Sequence, residues 1–218
     1  MWLQKVTSAS NVPFWLNTAH AQNRTGDGGF ADLCLTTWLR RRPVSSSILP
    51  AGSRSLGCAR HVSSQHFRDA MAQLPAGVVV VSARLGEEYR GLTASSLVSI
   101  SLEPPLVLVG LERQSATRAA ILETRAFNAS LLTRQQEFIA DRFAGRAPAI
   151  DAQWKTVPHR LGANGIPLID GCAAWLECRV TQVHPAGDHD ICVGEVEAAA
   201  VGRGDPLILW DRTFWSLH

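Results

Sequence analysis

Apolar positions first fall into a regular pattern just after residue 62. Phe67, Ala70, Met71 and Leu74 recur at helical spacing, Ser63-Ser64 offers an N-cap, and Pro75-Ala76-Gly77 ends the helix. The pattern then turns to strands. Val78-Val79-Val80-Val81 is a β-branched run bounded by Gly77, and Gly86-Glu87-Glu88 reads as a polar turn. A second strand is predicted over Tyr89 to Ser101, small and polar in its middle at Gly91-Leu92-Thr93-Ala94-Ser95-Ser96. Pro104-Pro105 breaks the chain before a wholly apolar third strand, Leu106 to Leu111.

Ser115 caps a predicted helix over Ala116 to Glu123. Phe127 to Leu132 reads as a short strand. Thr133 caps another helix that runs to Phe143 and stops at Gly145, with Glu137 completing a loose capping pattern one residue late. The stretch on to Gly165 reads as loop. Cys172 to Val183 and Asp190 to Val201 alternate as strands, and Pro206 to Trp210 is the last. Strands outnumber helices, and the close spacing of the first pair favours antiparallel pairing. The predicted fold class is mainly β with flanking helices, arranged as a closed or split β-barrel.

Residues 1–62 do not share this pattern. The first sixty residues carry a formal charge of +5, the rest −3. An Arg- and Ser-rich, acid-poor leader fits an organelle transit peptide, whereas no apolar stretch after Lys5 suits a secretory signal. The plainer expectation is a dispensable extension, or upstream sequence translated from an early start, on a cytoplasmic protein. The expected organisation is therefore a basic extension, 1–62, and one folded domain, 63–218.

Composition narrows the function classes. With 218 residues, 46% hydrophobic and 18% charged, the chain is too apolar to be wholly disordered. A net charge of +2 gives no case for nucleic-acid binding. No apolar run approaches the roughly 18 residues of a membrane span. Five cysteines without a CxxC argue against a disulfide scaffold or a zinc ribbon. Cys172, Cys178 and Cys192 fall in predicted strands and read as small core residues. No GxGxxG lies between a strand and a helix, and there is no P-loop, GxSxG or HExxH.

Three features invite chemistry. Thr93-Ala94-Ser95-Ser96 places small hydroxyl residues mid-strand, where they admit a flat ligand and supply donors; an exposed strand face is the plainer alternative. Ser115-Ala116-Thr117-Arg118 opens a helix beside Arg113, a setting for a phosphate or simply an N-cap. Gly187-Asp188-His189-Asp190 sits in a turn between strands. With His184 it could suggest a metal, but the spacing matches no common zinc pattern, and no metal is expected.

In order, the chain reads Pro75-Ala76-Gly77-Val78, Gly91-Leu92-Thr93-Ala94-Ser95-Ser96 and Ser99-Ile100-Ser101-Leu102-Glu103-Pro104-Pro105. It continues with Phe127-Asn128, Arg142-Phe143-Ala144-Gly145, Gly187-Asp188-His189 and Gly194-Glu195-Val196. Over residues 64–217 this resembles the short-chain flavin reductases, FMN-binding split-barrel proteins that supply two-component monooxygenases. The resemblance implies an NAD(P)H-dependent flavin reductase using FMN, or FAD, with NADH or NADPH as co-substrate. It also implies a homodimer with the flavin near the subunit interface, and a partner flavin-dependent monooxygenase. It places the flavin along Gly91, Leu92, Thr93, Ser95, Ser96 and Ser99, and over Gly110, Leu111 and Glu112. The phosphate falls to Ser115, Ala116 and Thr117, a further contact to Arg142 and Phe143, and the nicotinamide to His189. The chain departs from the family at Leu97, at Asn128-Ala129-Ser130 and at Asp211-Arg212-Thr213-Phe214. A flavin-dependent oxidase of the pyridoxamine-phosphate type and a non-catalytic flavin carrier are the alternatives.

Overall fold

The structure is a computed structural model that describes residues 62–145 and 154–217, together with the backbone of Leu3–Lys5. The rest of the predicted extension, residues 146–153 at the start of the predicted loop after Gly145, and residue 218 lie outside the described residues. Named in chain order, the first elements are β1 (Leu3–Lys5), α1 (Ser64–Met71), β2 (Ala76–Gly77), β3 (Val79–Leu85), β4 (Glu88–Ala94), β5 (Val98–Leu102) and β6 (Pro105–Glu112). Then come α2 (Ala116–Thr124), β7 (Ala126–Leu131), a single 3₁₀ turn (Arg134–Gln136) and α3 (Glu137–Phe143). The last are β8 (His159–Leu161), β9 (Pro167–Ile169), β10 (Ala174–Ala186), β11 (His189–Val201), β12 (Leu207–Trp210) and β13 (Thr213–Leu217).

Seven strands form the main sheet in the order β4-β3-β7-β10-β11-β6-β5, all neighbours antiparallel. Its two end strands, β4 and β5, are consecutive in the chain and joined only by Ser95-Ser96-Leu97. Laid flat, the sheet would separate them by six spacings of about 4.8 Å, roughly 29 Å. Four residue steps reach about 14 Å at most. The sheet must therefore curl, bringing its ends together, yet no ladder joins β4 to β5. The result is a barrel with one open seam, crossed by Ser95-Ser96-Leu97. The expected mainly β fold with flanking helices is present.

The valine run explains how the interior is divided. Val78 and Val80 face one core cluster with Leu132, Phe143, Trp154 and Leu207. Val79 and Val81 face a second with Leu92, Leu111, Ile121 and Phe127. With both faces covered, this stretch reads as an unbroken apolar run rather than an alternation. Each cluster receives one helix: α3 supplies Ala140 and Phe143 to the first, α2 supplies Ala120 and Ile121 to the second. Cys172, Cys178 and Cys192 are buried among these side chains, and burial pushes their thiols up to about 12, 12 and 11.

Several elements differ from expectation. The single strand predicted over Tyr89 to Ser101 is two strands, because curling the sheet breaks the chain at Ser95. The capping partner of Thr133 is Gln136, whose Oε1 accepts from the Thr133 N–H at 2.9 Å, and not Glu137; a 3₁₀ turn puts Gln136 in place first. The predicted loop holds one strand, β8, which pairs with β9 just beyond Gly165. β13 was not anticipated, because its turn is Asp211-Arg212, with φ of 45° and 61°, and lacks the glycine that usually marks such hairpins. Leu3–Lys5, placed in the extension, pairs with β13.

Close packing makes Gly194 a sensitive position. A Cβ there would lie 2.7 Å from the ring of Phe127, which is fully buried. Gly194→Ala is expected to destabilise the fold by about 1–3 kcal/mol through overpacking, measured as a lower denaturant midpoint at unchanged slope.

Candidate functional site

The open seam borders a groove of about 620 Å³. That size suits a nucleotide-scale ligand. One side is the seam linker, Ser95 and Ser96; the floor is Gly110 of β6; Asp188 and His189 form the rim. Across from them lie Phe67, Arg68 and Met71 of α1, and Arg212 of the β12–β13 turn.

Local chemistry fixes the floor. The Ser96 hydroxyl accepts from the Gly110 N–H at 3.1 Å and lies 3.3 Å from the Gly110 carbonyl, so it stitches the linker to β6 across the seam. A Cβ on Gly110 would sit 3.5 Å from Ser96 Oγ and 4.0 Å from His189 Cδ2. Glycine leaves that space bare, so a planar ring system can approach the backbone. His189 is held there by register: β10 and β11 are joined by the two-residue turn Gly187-Asp188, with Gly187 at φ 66°. His189 Nδ1 lies 2.7 Å from Asp188 Oδ1. An ionised carboxylate only accepts, so Nδ1 carries the proton and the tautomer is set. That same bond holds the Asp188 carboxyl below its ordinary range.

Beneath the rim, Asp190 is buried and bound by two arginines. Arg118 donates from Nε at 2.9 Å and also from its terminal nitrogen, and Arg113 Nε donates at 3.1 Å. These hydrogen bonds, Arg118 first, keep the Asp190 carboxyl below its usual range. The sequence offers Arg113 and Arg118 to a phosphate; the structure engages both with Asp190. Ser115 caps α2 by accepting the Arg118 N–H at 3.2 Å.

The groove thus unites Ser95, Ser96, Gly110 and His189 of the expected site residues. Ser99, on β5, and Ala116 are exposed, and Glu112 is half-buried. The side chains of Leu92, Leu111 and Thr117 are buried. The Thr93 hydroxyl donates to the Ala140 carbonyl at 2.7 Å. Gly91 packs against Phe143, whose ring would be 2.7 Å from an added Cβ. Arg142 is buried and donates to Thr156 at 2.5 Å. The hydroxyls of Thr93 and Ser96 are engaged within the protein, which leaves Ser95 as the seam hydroxyl facing the groove. Sequence reasoning did not place Phe67, Arg68, Met71 or Arg212 at the site. The amphipathic spacing of α1 was legible, but not the surface it covers. Among the described residues no three His, Cys, Asp or Glu side chains converge as a metal site.

A sequence profile described as "Flavin reductase like domain" matches residues 71–218. The chain is 38% identical over 153 residues to the reductase component of 4-hydroxyphenylacetate 3-monooxygenase from Thermus thermophilus, covering 68% of this chain and 93% of that protein. It is 35% identical over 163 residues to an NADH-dependent flavin reductase of Rhodococcus sp, covering 72% and 88%. The structure of the NADH:FAD oxidoreductase SgcE6 of Streptomyces globisporus, in complex with NAD and FAD fragments, superposes with a TM-score of 0.65 at 34% identity. That match covers 72% of this chain and 95% of the other.

The lowered Asp190 value sets a pH dependence. The unfolded state takes up the proton more readily than the folded one, so the stabilisation is fully present above the unfolded value near about 4 and fades as pH falls through the lower folded value. Unfolding free energies of the native protein and Asp190→Asn should differ by a constant amount from pH 7 to about pH 5, and converge below about pH 4.

Proposed function

Because the chain belongs to the flavin reductase like domain family, we propose that the seam groove binds a flavin nucleotide and a reduced nicotinamide face to face. The protein is an NAD(P)H:flavin oxidoreductase, and its reduced flavin serves a partner monooxygenase. One observation carries the placement: the bare Gly110 backbone between Ser96 and His189, on the floor of a groove with a polar seam and a far wall of Phe67 and Met71 flanked by arginines. These residues suit an FMN or FAD ring system.

The flavin, when bound, supplies the hydride-accepting chemistry, and NADH or NADPH the hydride. The chain's residues position and shield. Ser95 offers a hydroxyl at the seam, and Gly110 lets the ring lie against the backbone. Phe67 and Met71 cover the groove and keep water from the reacting faces. His189, its tautomer set by Asp188, orients the nicotinamide, and the Arg113–Asp190–Arg118 group holds the first turn of β11 under it. No side chain needs to act as a nucleophile.

The catalytic domain is residues 63–218, which the family match beginning at Met71 supports, and Leu3–Lys5 of the extension 1–62 adds a strand to its β13 edge. The site is cytoplasmic in this reading, and no helix among the described residues is long and apolar enough to cross a membrane. The protein acts as a homodimer. Support comes from β5, an end strand of the sheet next to the seam, which exposes Val98, Ile100 and, at 87%, Leu102. A second copy on this strand would close the groove.

Two measurements follow. Mixed anaerobically with FMN and NADH or NADPH, the protein should bleach the flavin band rapidly with at least one donor. His189→Ala should raise the donor KM more than it lowers kcat. Bound flavin that stays oxidised with both donors would favour an oxidase or a carrier. By sedimentation, the native protein should run at twice the chain mass and Leu102→Glu at the monomer mass; a native monomer would remove the dimer.

A further inference from the structure

Helix α1 covers the groove, yet none of its residues is buried. It is held from outside by the β12–β13 turn. Arg212 pairs with Asp69, Gln73 Nε2 donates to Asp211 Oδ1 at 3.3 Å, and the Asp211 N–H donates to the Ala72 carbonyl at 2.8 Å. Asp211 and Arg212 both adopt left-handed backbone without being glycine, a conformation that other residues rarely take. Such a turn persists where its surroundings demand it, and here it serves to clamp the helix.

The clamp has an electrostatic result. The ionisable side chains lining the groove are Arg68, Asp188, His189 and Arg212. Asp188 and His189 bond each other, and Arg212 is bound to Asp69. Asp69 also accepts from Gln65 at 2.9 Å, so the carboxylate next to Arg68 in sequence is committed elsewhere. Among the described residues, Arg68 is the arginine of the groove without a carboxylate partner, and it is half-buried. A guanidinium recessed in this way gains most from an anion that accepts two parallel hydrogen bonds.

We propose that Arg68 is a nucleotide-phosphate-binding residue, held over the groove by the Asp69–Arg212 clamp. This rests on the reductase reading of the groove, in which both occupants carry phosphate. The donor's pyrophosphate and the flavin's phosphate share the chemistry, and experiment separates them.

The test measures equilibrium binding of FMN, riboflavin and NADH, and steady-state KM for NADH, in the native protein, Arg68→Ala and Arg68→Lys. Arg68→Ala should weaken one phosphate-bearing nucleotide by about tenfold to a hundredfold. Riboflavin, which lacks the phosphate, should bind as before, and Arg68→Lys should recover part of the loss. A loss confined to FMN assigns the flavin phosphate. A loss confined to NADH, with kcat within about twofold, assigns the donor. Equal losses for FMN and riboflavin, or no loss for either nucleotide, would overturn the proposal. Because α1 buries no residue, Arg68→Ala should fold; if its melting point falls, Arg68→Gln, which keeps the side-chain stem, replaces it under the same criteria. A native protein that binds both nucleotides but leaves the flavin oxidised would defeat the reductase reading instead, and the binding comparison would still decide the role of Arg68.

Discussion

Everything distinctive about this molecule depends on a chain length. Three residues tie together the two ends of a seven-stranded sheet, so the sheet closes on itself without completing its hydrogen bonds. The seam is where polar backbone and small hydroxyls come to the surface of an otherwise apolar barrel. A longer linker would let β4 and β5 drift apart; a continuous ladder would seal the floor. Ser96 resolves the conflict by bonding both polar groups of Gly110, which keeps β6 in place while leaving the backbone uncovered.

The surroundings of the seam are built to different standards of rigidity. The rim is anchored deeply: Asp190 receives two guanidinium groups from the α2 region, and the turn above it has only two residues. The opposite wall is a helix with no buried face, fastened by polar contacts to a turn. A rigid rim with a lightly held wall suits a site that two nucleotides must enter and leave in changed form. Local stability of this kind belongs to elements with few buried contacts.

Much of this was legible in the residues. Val78 to Val81, the Ser115 cap and the Gly187-Asp188 turn each carry a local signal strong enough to fix an element. The site was partly legible for the same reason: small residues mid-strand and a histidine after a tight turn are local features. What escaped was set by distance. Nothing near Thr93 states that Ala140 takes its hydroxyl, and nothing near Arg118 states that Asp190, 72 residues away, takes its charge. β13 was missed because Asp211 and Arg212 adopt a backbone that their identities disfavour. The break at Ser95 is likewise a product of sheet closure rather than of local propensity.

The three buried cysteines have a further consequence. With thiols raised to about 11 and 12 by burial, they stay protonated across the working pH range. Alkylating reagents attack the thiolate, so each of these sulfurs is inert until the barrel opens around it. Cys178 and Cys192 lie in one core cluster and Cys172 in the other. Their separate modification rates therefore form a pair of internal clocks, reporting whether the two halves of the interior come apart together or in turn.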